Sequence, residues 1–118
     1  MKLEMAVMAA KERQAHDEAD AAIEAVKNKY HQARQAGNIR MFIEWVNETY
    51  VPADKRKALP EQQDGLKGQV KFARWIVGNV CKSIHPDKYV YAPKAKYIEM
   101  EEVASLVNFS VNYLKGFN

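Results

Sequence analysis

Apolar residues recur at three- and four-residue steps through four separate runs of this chain, the mark of helices that each bury one face. The first run, Leu3 to about Gln35, has no Gly or Pro and is rich in Ala, Glu, Lys and Gln, so it predicts one long helix. Its seam of Ala15, Ala19, Ala22, Ile23, Val26, Tyr30 and Ala33 is narrow and widens toward the C-terminal half. The first half has no large apolar residue after Met8 and is expected to project into solvent or fray. No sustained heptad with charged flanks appears, so a solvated helix with a packing edge fits better than a dedicated coiled coil.

Gly37 reads as a helix stop and Asn38 as the N-cap of a second helix, Ile39 to Tyr50, with Ile39, Phe42, Ile43, Val46 and Tyr50 on its buried face. Val51-Pro52-Ala53-Asp54 breaks that helix. Lys55 to Gly65 is a polar connection in which a helical turn is expected near Pro60. A third helix begins near Leu66 and ends at about Ile84, where Pro86 removes a backbone donor and pushes His85 out of the α region. Its apolar face is Ala73, Ile76, Val77, Val80, Cys81 and Ile84, with Trp75 toward the outer side and expected to bury against the N-terminal helix. After a loop from Tyr89 to Lys94, a last helix from about Ala95 to Leu114 turns Val103, Leu106, Val107, Ser110, Tyr113, Leu114 and Phe117 inward. The expected fold class is all-α.

Composition narrows the classes. A chain of 118 residues, 47% hydrophobic and 28% charged, suits one helical domain with its own core. No apolar run approaches the length of a bilayer span, and Met1 to Ala10 is short and carries Glu4, unlike a signal peptide. Cys81 is the only cysteine, so a reducing, cytoplasmic setting is the expectation. His16 with Asp20, and the isolated His31, fall short of a metal-ligand set, and no Gly-rich phosphate loop or nucleophile with a paired base appears. The reading is therefore a non-enzyme without cofactor or metal. In residues 1 to 36 the charges balance, so the net +3 falls wholly in the remainder. Such an excess suits an acidic protein partner. It also keeps open a basic helical nucleic-acid-binding module, although the cations are spread over several faces and interleaved with acids.

The chemistry concentrates at Ile84-His85-Pro86-Asp87-Lys88, a stiff turn that presents a carboxylate at the end of a helix carrying Lys71, Arg74 and Lys82 outside. The plain alternative is that Asp87 closes a turn, His85 caps the preceding carbonyls, and the cations form an ordinary solvated face. A basic amphipathic helix running into His-Pro-Asp-Lys resembles the J-domain, the co-chaperone module that drives ATP hydrolysis in DnaK-type chaperones. Gly37-Asn38-Ile39-Arg40 after a long helix, and the closing run Lys96-Tyr97-Ile98, Glu102-Val103 and Leu106-Val107, look like the auxilin branch of that family.

The resemblance implies an antiparallel helix pair bracketing the His-Pro-Asp loop, with residues 37–118 as the J-domain and residues 1–36 as an added long helix packed on it or leading into it. It implies that Lys71, Arg74 and Lys82 dock on an acidic patch of a heat-shock-70 (DnaK-type) chaperone. Asp87, held by His85 and Pro86 with Lys88 at the rim, would then engage an arginine of that chaperone and favour hydrolysis. Clathrin coats would be the client, recruited through regions outside this segment. The family usually carries basic residues where this chain has Gly78 and Asn79. That departure motivates an alternative, a J-like scaffold without productive stimulation. Neither nucleic acid nor a membrane span is expected.

Overall fold

The computed structural model describes the backbone of residues 2–116 and the side chains of residues 10, 11 and 13–116. Among these residues the secondary structure is entirely helical. Helix α1 spans Lys2–Gln35, α2 Ile39–Tyr50 and α3 Gly65–Ile76; a π-helical turn, Val77–Cys81, joins α3 to the short α4, Lys82–Ile84. A 3₁₀ turn, Pro86–Tyr89, precedes α5, Lys94–Leu114. Phe117, expected on the inner face of the last helix, lies outside the described residues.

Helix α5 is the hub, packed against α1, α2 and α3. Arg34, near the end of α1, lies with its guanidinium 4.3 Å from the ring centre of Tyr113, near the end of α5. These two closely packed helices therefore run parallel. At the opposite end of α5 the hydroxyl of Tyr50, the last residue of α2, donates to Glu99 Oε2 at 2.5 Å, so α2 runs antiparallel to α5. The small side chains Ala15, Ala19 and Ala33 are buried on α1 and let the long helix approach closely. The covered seam reaches as far back as Ala15, and Ala22 and Ile23 on its flank are half-buried.

Val26, Phe42, Ile43, Val46, Ile76, Val80, Ile84, Met100, Val103 and Val107 form one core in which none is more than 1% exposed. At about 1.5–3 kcal/mol for each fully buried side chain, these residues dominate the favourable side of folding. Met100 and Val111 also point inward, beyond the positions expected from periodicity, while Tyr113 is only half-buried.

Several local expectations are corrected. Val77 is not in the core but 46% exposed; its amide still bonds Ala73 O, and it stands where the α-helix widens into the π turn. Trp75 is half-buried, and its ring stacks on Phe72 of its own helix at 6.1 Å. No helical turn forms near Pro60. The chain turns earlier, at Pro52–Lys55, and residues 56–64 are irregular. Arg56 fixes that connection by donating to the carbonyls of Asn47, Glu48 and Val51 at the end of α2, while buried Asn47 donates to Lys57 O. Asn38 occupies the N-cap position of α2 without a side-chain hydrogen bond. Its backbone is instead committed to closing α1: Asn38 N donates to Ala33 O and Gly37 N to Arg34 O, with Gly37 at φ +65°.

Candidate functional site

The third helical segment runs from α3 through the π turn to Ile84, which is 1% exposed and pins the segment to the core. One residue later, His85 leaves the helix at φ −58°, ψ 129°. Pro86 then opens the 3₁₀ turn, as its fixed φ and missing N–H favour at a helical first position. Lys88 N donates to His85 O at 3.0 Å, and Ala92 N to Tyr89 O at 3.0 Å. Tyr89 is half-buried and packs against the core, so the loop is clamped on both sides.

Between those anchors the chemistry is exposed. The side chains of His85 and Asp87 are 61% and 85% exposed. Asp87 N donates to His85 Nδ1 at 3.3 Å, and the same nitrogen lies 3.5 Å from Asp87 Oδ2. One ring nitrogen cannot accept from the amide and donate to the carboxylate at once. A neutral His85 accepting from the amide leaves the Asp87 carboxylate free for a partner, whereas an imidazolium occupies it. Across from the loop, α5 contributes Glu101, Ala104, Ser105 and Asn108 to a shallow groove that also takes in Cys81. Burial pushes the Cys81 thiol up, which keeps it unreactive, and its side chain is half-buried rather than fully in the core.

Lys71, Arg74, Lys82 and Lys88 are all exposed, and among the described residues none of them forms an ion pair. Lys67, which sequence reasoning passed over, is exposed as well. Lys67, Lys71, Arg74, Gly78 and Lys82 follow steps of four, three, four and four residues, the spacing of a single helix face. That spacing is the signal in the sequence that marks Lys67 as part of the face. Gly78 is the gap in this stripe. Asn79 is turned to a structural task, with its Nδ2 donating to Trp75 O at 2.9 Å and its carbonyl accepting from Ser83 Oγ at 3.3 Å.

The site thus holds an exposed carboxylate on an anchored turn, an imidazole beside it and a row of cations on the adjoining helix that form no ion pair among the described residues. Among the described residues no group of three or more side chains could hold a metal ion, and no helix is long and apolar enough to cross a membrane. Comparison with known proteins finds no matching family model, no matching curated protein and no matching solved structure.

Proposed function

We propose that the chain is a J-domain-type co-chaperone module that stimulates ATP hydrolysis by a heat-shock-70 (DnaK-type) chaperone. The observation that carries this reading is the Asp87 carboxylate, 85% exposed at the tip of a clamped His-Pro-Asp turn, beside a helix whose outward cations form no ion pair among the described residues. Long-range attraction draws the Lys71, Arg74 and Lys82 face to an acidic patch on the chaperone, which raises the encounter rate. Asp87 then pairs with a chaperone cation, His85 and Pro86 keep it in position, and Lys88 adds charge at the rim. Binding favours the hydrolysis-competent state of the partner, an allosteric effect exerted on another protein.

The antiparallel disposition of the segment ending at Ile84 and of α5, with the tripeptide between them, supports the same reading. The opening at Gly37-Asn38-Ile39-Arg40 makes a clathrin coat the first client to test, with recruitment by regions outside this segment. Single-turnover ATP hydrolysis by a cytosolic DnaK-type chaperone tests the proposal. Faster hydrolysis on adding the chain supports it, and an unchanged rate over a full concentration series rejects it.

A further inference from the structure

His85 Nδ1 stands between two groups of Asp87 that need it in opposite states. The Asp87 amide donates to it at 3.3 Å, which requires the bare lone pair of a neutral ring. Asp87 Oδ2 lies 3.5 Å from the same nitrogen, where only a protonated ring has a hydrogen to offer. Among the described residues Asp87 is the one acid within ion-pair reach of His85. The other titratable groups around the ring come from both flanking elements. Glu101 of α5 lines the groove beside the turn, and so does Cys81, whose thiol burial pushes up. Lys82 precedes the turn and Lys88 follows within it, both exposed. Histidine is the side chain whose ordinary titration falls between pH 5 and 8, so the choice between amide and carboxylate is made in a range that cells reach.

We infer that His85 is a proton-controlled gate on the Asp87 carboxylate. The neutral ring holds the Asp87 amide and leaves the carboxylate to a partner's cation. The imidazolium releases the amide and takes the carboxylate for itself. Resting on the functional reading above, this makes engagement of the chaperone pH-dependent, full at alkaline pH and weaker as the ring gains its proton. Both side chains stand mostly in solvent, at 61% and 85% exposure, so the internal pair competes only as strongly as an exposed ion pair does. The gate therefore tunes engagement and does not abolish it. Because linkage is reciprocal, a partner that takes Asp87 must also make His85 harder to protonate.

The test uses the full chain carrying His16→Gln and His31→Gln, which leaves His85 as its one imidazole. NMR follows the His85 ring nitrogens and the Asp87 amide from pH 5 to 8, with and without a cytosolic DnaK-type chaperone, and affinity is measured over the same series. At pH 8 the ring is expected as the Nε2–H tautomer with Nδ1 bare. On acidification the Asp87 amide signal should move in step with the ring. Affinity should fall by about two- to fivefold from pH 8 to pH 5, the strength of one exposed ion pair. At a fixed pH the protonated-to-neutral ratio of the ring should fall by the same factor when the chaperone is added. Should the double change lower the melting temperature, the wild-type chain replaces it, with its His85 signals assigned individually. An Nδ1–H tautomer at pH 8, an Asp87 amide that ignores the ring, or a ratio that the chaperone leaves unchanged overturns the gate while leaving the functional reading intact. A chain that binds no chaperone at any pH overturns the functional reading and the gate's role with it, even where tautomer and amide behave as expected.

Discussion

Two turns end the two longest runs before α5, and they are built in opposite ways. At Gly37–Asn38 the chain closes α1 with main-chain hydrogen bonds to Ala33 and Arg34, and the next residue, Ile39, is 3% exposed. At His85-Pro86-Asp87 the helix is ended by a proline ring, the turn is closed by Lys88 N to His85 O, and the residue at its tip is exposed. The first turn spends its polar groups on itself and delivers the chain to the core. The second keeps a carboxylate and an imidazole largely in solvent, with His85 Nδ1 accepting from Asp87 N, while buried Ile84 and half-buried Tyr89 hold it in place. An anchored turn whose tip carboxylate stays in solvent presents chemistry, whereas a turn that leads straight into the core only connects. Stability and function should therefore separate cleanly between the two.

The largest effect is expected in the shared core that both turns serve. Leu106→Ala removes a side chain 7% exposed on the inner face of α5 and should cost about 2–5 kcal/mol in denaturant melting. A loss below about 0.5 kcal/mol, the range of ordinary surface changes, would mean that α5 does not bury this face. Next comes the connecting turn. Gly37→Val forces a β-branched residue to φ +65° and should cost about 1–3 kcal/mol by the same measurement. An unchanged midpoint would show that the turn is not held left-handed.

A smaller effect is expected where α2 meets α5. Burial and the neighbouring Glu99 raise the Tyr50 hydroxyl well above the ordinary tyrosine value near 10. A raised folded value gives stability that is complete below about pH 10 and is lost as pH climbs toward the folded value. Tyr50→Phe should cost about 1 kcal/mol near neutrality and shallow the fall in stability above pH 10. Parallel alkaline melting curves for the two proteins would contradict the Tyr50–Glu99 link. Smallest of all, Asp87→Asn should alter stability by no more than about 0.5 kcal/mol, since the carboxylate is almost wholly exposed.

Periodicity alone located the four long helical runs and most of the core. Apolar side chains at helical spacing have nowhere else to go in an all-helical chain, and Gly37 and Pro86 mark boundaries through backbone geometry that no neighbour can override. It failed at Val77, which is exposed where the helix widens into a π turn, and at Trp75, whose half-buried ring stacks on Phe72 of its own helix. The polar connection before Gly65 was legible, but not the absence of a turn near Pro60, because Arg56 fixes the path by reaching back to the carbonyls of Asn47, Glu48 and Val51. Gly68 is a similar case, buried so tightly that a Cβ there would stand 2.3 Å from Gln63 O. At the candidate site the tripeptide and four cations, Lys71, Arg74, Lys82 and Lys88, were legible from residue type, spacing and the resemblance. The exposure of Asp87, and the contest between its carboxylate and its amide for His85 Nδ1, needed three dimensions.

The most direct test of the central claim is single-turnover ATP hydrolysis by a cytosolic DnaK-type chaperone with the wild-type chain, His85→Gln and Asp87→Asn, each checked by melting. The account predicts acceleration by the wild-type chain and none by either variant, at unchanged melting temperature. Undiminished acceleration by folded His85→Gln and Asp87→Asn would contradict it.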